Sequence, residues 1–305
     1  MFSGVNILCF TVCYAVAFLL AISRLLFRSS LRRIAMLGFA EAGLIAHTVF
    51  LCRRAMILDA APWSSQKDWF LMAAWVLAAA YLYFAVRRPQ APFGLFLLPL
   101  TLALIGIGTL AADSRPLATQ VAFQLWGMIH GLAILTATVS VLIAFVAGLM
   151  YLGQTRHLKH KILPTRGPRL PSLEWLQWVN SRAVLVAAPA LGVGLLAGEI
   201  LDRINAQNGV PPLGWRDPVV VSTWFLFFWL VIVLAMSVFH RHARQGQKVA
   251  YLTIAGLVFL AIMLGAALAA GDGHWGRLRQ PPPTAFPPAS LPNPPSSSFH
   301  ADRRL

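Results

Sequence analysis

Eight apolar segments, each close to the length that crosses a bilayer, constrain this chain more than any other feature. They cover about residues 5–27, 34–51, 69–86, 93–112, 124–152, 183–202, 219–239 and 248–270. A transmembrane helix needs roughly 20 mostly apolar residues, and none of the segments shows the period-two alternation of a barrel strand. We predict an all-α, polytopic integral membrane protein with about eight transmembrane helices.

The low share of charged residues agrees with this prediction and excludes several other classes of protein. Charged residues make up 11% of the chain and hydrophobic residues 58%, whereas a soluble domain carries about 25% charged residues. The 10 acidic residues are too few to solvate a surface of this size. We therefore exclude a soluble globular enzyme, a disordered protein and a secreted disulfide scaffold. The three cysteines form no Cys-x-x-Cys pair.

The positions of the basic residues predict the orientation of the chain. Fifteen of the 25 lysines and arginines fall in the odd-numbered loops, six of them between the fifth and sixth segments. The positive-inside rule then places these loops in the cytoplasm and both termini outside, although Arg53 and Arg54 in loop 2 count against it. We therefore attribute the net charge of +15 to loop cations that set the orientation and could meet anionic lipid headgroups. No nucleic-acid partner is predicted.

Ionisable residues inside the spans are the candidates for a functional site, because charge in a bilayer is costly. The predicted topology places His130 and His274 at the outer face and His47 in the outer half of the second helix. It places His240 at the inner end of the seventh helix. For each histidine taken alone, a hydrogen bond to a neighbouring helix is the simpler explanation.

An outer loop precedes the seventh helix and leads into an aromatic run. The loop reads PPLGWRDP at 211–218, and the run reads WFLFFW at 224–229. Two histidines and aromatic faces on one side of a membrane could hold a flat, apolar, anionic iron macrocycle. Neutral imidazoles would then be axial ligands, and Arg216 could meet a propionate. The alternative for the aromatic residues is an interfacial belt.

Several strings, in order along the chain, resemble the cytochrome c assembly protein family, in particular its eight-helix CcsA, HemX and YpjD-like branch. Residues 148–161 (GLMYLGQTRHLKHK) resemble the family's exit from the fifth helix, and residues 170–176 (LPSLEWL) resemble the loop segment that follows. His130 opens the fifth helix where the family has an outer histidine. Residues 244–256 and 273–275 (GHW) resemble the entry to the last helix and its end. The resemblance covers about residues 5–275.

This resemblance implies a haem-handling protein of c-type cytochrome biogenesis in the bacterial inner (cytoplasmic) membrane. Such a protein would bind haem b and present it at the outer face for attachment to apocytochrome c. It would act with a second assembly subunit rather than as an independent enzyme. By resemblance, the outer iron ligands would be His130 and His274, the tryptophan-rich loop would contribute Trp215 and Asp217, and the membrane-embedded ligands would be His47 and His240.

One departure from the family's pattern keeps two alternatives open. The loop at 211–218 retains one Trp, the Asp and the Pro, but lacks the family's further tryptophans and its Lys-Glu ending. The departure favours a HemX-like membrane accessory that modulates tetrapyrrole synthesis through a cytoplasmic partner docked on residues 156–182. A small-solute or ion-transport accessory is motivated by Glu41, Pro189 and the glycines at 192, 194 and 198. Close helix packing is the other explanation of those glycines.

The chain is predicted to divide into two regions. Residues 1–275 would form the eight-helix membrane domain, and residues 276–305 would form a Pro/Ser-rich tail on the outer side. The last 25 residues contain eight prolines and three consecutive serines. Because such a composition cannot bury a core, we expect the tail to be disordered.

Overall fold

The computed structural model of this protein describes residues 6–26, 29–57, 65–112, 121–159, 170–207, 212–239 and 246–269. These residues form eight helices, which confirms the predicted all-α membrane fold. The helices are α1 (Ile7–Leu26), α2 (Ser30–Ile57), α3 (Gln66–Arg87), α4 (Gly94–Leu110), α5 (Val121–Lys159), α6 (Leu173–Gln207), α7 (Pro218–Phe239) and α8 (Gly246–Ala269). Seven are long and apolar enough to cross a membrane, and α4 is a shorter apolar helix of 17 residues.

Helices α5 and α6 are much longer than a bilayer requires. They contain 39 and 35 residues, or about 58 and 52 Å at a rise of 1.5 Å per residue. A hydrocarbon core is only about 30 Å thick, so both helices extend well beyond it. The predicted start of the sixth span at residue 183 is ten residues late, because α6 begins at Leu173. Arg182, one of the six cations between the fifth and sixth predicted segments, therefore lies on a helix.

The helices pack as two groups that share one core. In the first group, α1 packs against α2 and α4, and α3 packs against α2 and α4. In the second, α5 packs against α6 and α8, and α7 packs against α6 and α8. Contacts of α5 with α3 and α4 join the groups. The buried cluster that crosses this junction contains Leu77 and Leu98 from the first group and Leu142 and Leu191 from the second.

Contacts between helix ends show that the chain alternates in direction. Arg24 at the end of α1 donates a hydrogen bond to the Pro89 carbonyl in the α3–α4 turn, at 3.5 Å. Gln66 at the start of α3 donates to the Ala267 carbonyl near the end of α8, at 3.0 Å. Loops 1 and 3 therefore share one end of the bundle, as their common positive charge predicts. Which end faces the cytoplasm stays a prediction, and residues 276–305 lie outside the described residues.

The start of α3 provides a partner for Arg54, one of the cations that count against the predicted orientation. Ser65 and Asp68 form a capping box, in which the Ser65 hydroxyl and backbone N–H donate to Asp68 at 2.7 and 3.1 Å. Asp68 is fully buried, and it also forms an ion pair with Arg54 near the end of α2. Arg54 is therefore paired with a buried carboxylate at this end of the bundle.

Candidate functional site

His130 lies near the start of α5 and is held by the facing helix α6. Its Nδ1 atom is 2.7 Å from the carbonyl oxygen of Gly194. A carbonyl oxygen only accepts hydrogen bonds, so Nδ1 must carry a proton, and in the neutral ring the lone pair is on Nε2. Histidines that ligate metals are oriented by this kind of bond, which fixes the tautomer and raises the basicity of the other nitrogen.

The glycines of α6 make room for His130 and its neighbours. A Cβ on Gly198 would lie 3.0 Å from His130 Nδ1, and a Cβ on Gly194 would lie 2.9 Å from Ile134 Cδ1. His130 and Ile134 are four residues apart on α5, as are the two glycines on α6. The glycine run therefore serves close helix packing, which was the alternative to a transport motif. Glu41, the other residue behind the transport hypothesis, is exposed on α2.

Two residues that sequence reasoning missed connect His130 with α3 and α8. The Trp69 ring of α3 lies directly against Gly131, the residue after His130, and no larger side chain fits there. One turn earlier on α3, Gln66 forms the hydrogen bond to Ala267 of α8. The starts of α3 and α5 and the end of α8 therefore meet at one end of the bundle. Only the register between helices reveals this, because the three segments are far apart in sequence.

The loop before α7 is anchored at both ends and exposes its tryptophan. The backbone N–H of Leu213 donates to Asp202 of α6 at 2.8 Å. The backbone N–H of Asp217 donates to the Gly214 carbonyl at 2.9 Å, which closes a tight turn. Asp217 also caps α7, because its carboxylate accepts from the Val219 N–H at 2.8 Å. Trp215 at the tip of this turn is 73% exposed.

Only part of the aromatic run at 224–229 forms one cluster, in which the Trp224 ring contacts the rings of Phe227 and Phe228. Phe225 and Phe228 are exposed, whereas Phe227 packs near Gly192 of α6. The Trp229 indole donates to the Leu252 carbonyl of α8 at 2.9 Å. Successive residues of a helix point about 100° apart, so the run is spread around α7. The run therefore mainly packs α7 against α6 and α8 and covers its outward face.

His47 is a fully buried residue of the first helix group. Its ring stacks on the Phe10 ring of α1, with centroids 4.0 Å apart and an interplanar angle of 2°. Neither ring nitrogen has a hydrogen-bond partner among the residues that the structure describes. Buried polar atoms are rarely left unpaired. Two buried ring nitrogens without a partner among the described residues fit a histidine that binds a group from outside the chain.

The structure does not bring the predicted ligands together as a pair. His47 lies on α2 and His130 on α5, and these two helices do not pack against each other over their described residues. His240 and His274 lie outside the described residues. Within the described ranges, no cluster of three or more His, Cys, Asp or Glu could hold a metal ion. The ligand set that involves His240 and His274 stays a prediction.

The eight described helices, seven of which are long and apolar enough to cross a membrane, define a multi-pass helical membrane protein. The sequence model of the cytochrome c assembly protein family matches residues 63–268, about two thirds of the chain. The chain therefore belongs to this family and has a role in c-type cytochrome biogenesis. The match includes His130, Trp215 and Asp217, and it ends before His274 and begins after His47. No curated protein matches the chain.

Proposed function

We propose that this protein binds haem at the predicted outer end of the bundle and presents it for attachment to apocytochrome c. The observation that carries the proposal is the hydrogen bond between His130 Nδ1 and the Gly194 carbonyl. In the neutral ring, this bond selects the tautomer with the lone pair on Nε2, and neutral imidazole is the form that ligates haem iron. In a member of a family that assembles cytochrome c, haem is the group that such a ligand would take.

The position of α8 supports His274 as the second outer ligand. His274 follows the last described residue, Ala269, by five positions. Those five residues can span at most about 18 Å, at roughly 3.3–3.6 Å per residue. The end of α8 is tied to α3 by Gln66, one turn from the Trp69 ring that packs beside His130. The chain that leads to His274 therefore leaves α8 at the end of the bundle where His130 lies.

The anchored loop before α7 supplies the remaining parts of an outer haem site. Trp215 and Arg216 are exposed at the turn, where an aromatic face could cover the macrocycle and a guanidinium could pair with a propionate. Asp217 holds the turn and the start of α7. His47 and His240 are proposed as membrane-embedded ligands. Haem, when bound, would supply the vinyl groups that a partner's cysteines attack.

The proposal is tested in cells that lack this gene and carry plasmid-borne variants. We expect His130→Ala and His274→Ala to lower covalently attached haem in c-type cytochromes, measured by in-gel haem staining. His157→Ala is the matched control, because His157 is exposed at the other end of α5. Wild-type cytochrome levels in both ligand variants, with all proteins present in the membrane, would contradict the proposal.

One observation favours the HemX-like accessory as a second candidate. The extended ends of α5 and α6 expose Leu158 and Trp178, and Arg182 lies over the Trp178 ring at 5.7 Å. A basic surface with an exposed tryptophan could dock a partner at the predicted cytoplasmic side. We expect Trp178→Ala to change the level of tetrapyrrole enzymes if this function holds. Normal enzyme levels in a deletion strain would count against it.

A further inference from the structure

A cavity of about 400 Å³ lies where the ends of α1 and α3 meet the starts of α2 and α4. This is the predicted cytoplasmic end of the first helix group, opposite the end where His130 lies. Fourteen residues line the cavity, and they include two arginines, Arg24 and Arg33, and no carboxylate. Ser29 and Ser30 bring the first turn of α2 to the wall, where its backbone N–H groups favour an anion.

The two arginines are arranged for an anionic ligand. The Arg24 guanidinium is held between α2 and the α3–α4 turn by contacts with Met36 Sδ at 3.9 Å and the Pro89 carbonyl at 3.5 Å. Arg33 comes from the first turn of α2. The described residues contain two ion pairs, which use Arg54 and Arg203, so Arg33 has no carboxylate partner among them.

A buried hydroxyl in the same wall also lacks a partner. Tyr81 of α3 lines the cavity and is fully buried. Its hydroxyl has no hydrogen-bond partner within the described part of the chain. The ring is held in place near Gly94, where an added Cβ would lie 3.3 Å from Tyr81 Cε2. A buried hydroxyl without a partner is costly, and an acceptor bound in the cavity would remove that cost.

We propose that this cavity binds a phosphate group. Arg24 and Arg33 would supply hydrogen bonds between opposite charges, and the Tyr81 hydroxyl would donate a further hydrogen bond to the anionic phosphate. The phosphate could come from the headgroup of an anionic phospholipid or from free inorganic phosphate. The cavity does not include any residue of the outer haem site, so this binding is independent of the proposed function.

The test uses the full-length protein, purified in detergent and stripped of lipid. Native mass spectrometry measures the binding of phosphatidylglycerol, and calorimetry measures the binding of inorganic phosphate. We expect Tyr81→Phe and Arg33→Gln each to weaken binding by about tenfold, because each removes one hydrogen bond to a charged group. Tyr81→Phe keeps the ring and its packing. Arg87→Gln is the matched control, because Arg87 lies over the Tyr83 ring and outside the cavity wall.

The two ligands distinguish the source of the phosphate. Binding of phosphatidylglycerol without inorganic phosphate assigns the cavity to a lipid, and the reverse result assigns it to the free ion. Either result supports the proposal if Tyr81→Phe and Arg33→Gln weaken the binding of that ligand. The proposal is overturned if neither ligand binds, or if Arg87→Gln weakens binding as much as the two cavity variants.

Discussion

The contact between Gly198 and His130 gives the sharpest prediction about the proposed haem site. In Gly198→Ala, the new Cβ would lie 3.0 Å from His130 Nδ1 and 3.1 Å from Cε1. Ordinary contacts are longer, so the imidazole must move by a few tenths of an ångström. That movement strains the 2.7 Å hydrogen bond to the Gly194 carbonyl, which orients the ring and fixes its tautomer.

The expected loss follows from the role of that hydrogen bond. A hydrogen bond of this kind contributes about 0.5–1.5 kcal/mol to stability. Disturbing the group that orients a metal-ligating histidine typically costs about 10- to 100-fold in affinity. We therefore expect Gly198→Ala to weaken haem binding by about tenfold or more, while thermal stability falls only slightly. Haem titration of the apoprotein, followed by its visible spectrum, measures the affinity.

Gly192→Ala is a closely matched control on the same helix. Its Cβ would lie 3.1 Å from Phe227 Cε2 of α7, so the crowding is similar but His130 is not touched. We expect this variant to bind haem like the wild type. Equal haem affinity in the two variants, or a larger loss in Gly192→Ala, would refute the reasoning that links Gly198 to haem through His130.

Four further variants test other parts of the structure. Asp68→Asn leaves the partly exposed Arg54 without its charged partner and should lower the free energy of unfolding by about 1–3 kcal/mol. Glu199→Gln in the exposed α6 pair should cost less than about 1 kcal/mol, and thermal melts in detergent compare the two variants. Trp215→Ala should reduce cytochrome c maturation and leave the melting temperature unchanged, because the side chain is 73% exposed; a lowered melting temperature would indicate a structural role. His47→Phe keeps the stack on the α1 ring and should lower the haem-to-protein ratio without destabilising the haem-free protein; an unchanged ratio would remove His47 from the ligand set.

Much of the fold could be predicted because bilayer thickness sets the length of an apolar helix. The predicted spans agree with α1, α7 and α8 to within two residues at each end. The start of α6 was missed because residues 173–182 are not apolar enough to be a membrane span. They are helical all the same, and Leu176, Val179 and Asn180 are buried on one face. The spacing of these three residues was the available signal.

The site could be predicted only in part, because it depends on how distant helices face each other. The place of His130 at the start of α5 followed from the order of the segments. Its acceptor, the Gly194 carbonyl, is 64 residues away and is a backbone atom that no sequence motif marks. The pairing of Arg54 with Asp68 and the contact of Trp69 with Gly131 likewise required the packing of α3.

The most direct test of the central claim is the haem content and visible spectrum of the purified protein. We predict that the wild type and His157→Ala carry haem b with a bis-histidine spectrum, and that His130→Ala loses most of it. A haem-free wild type, or a His130→Ala protein with the same haem content and spectrum as the wild type, would contradict the account.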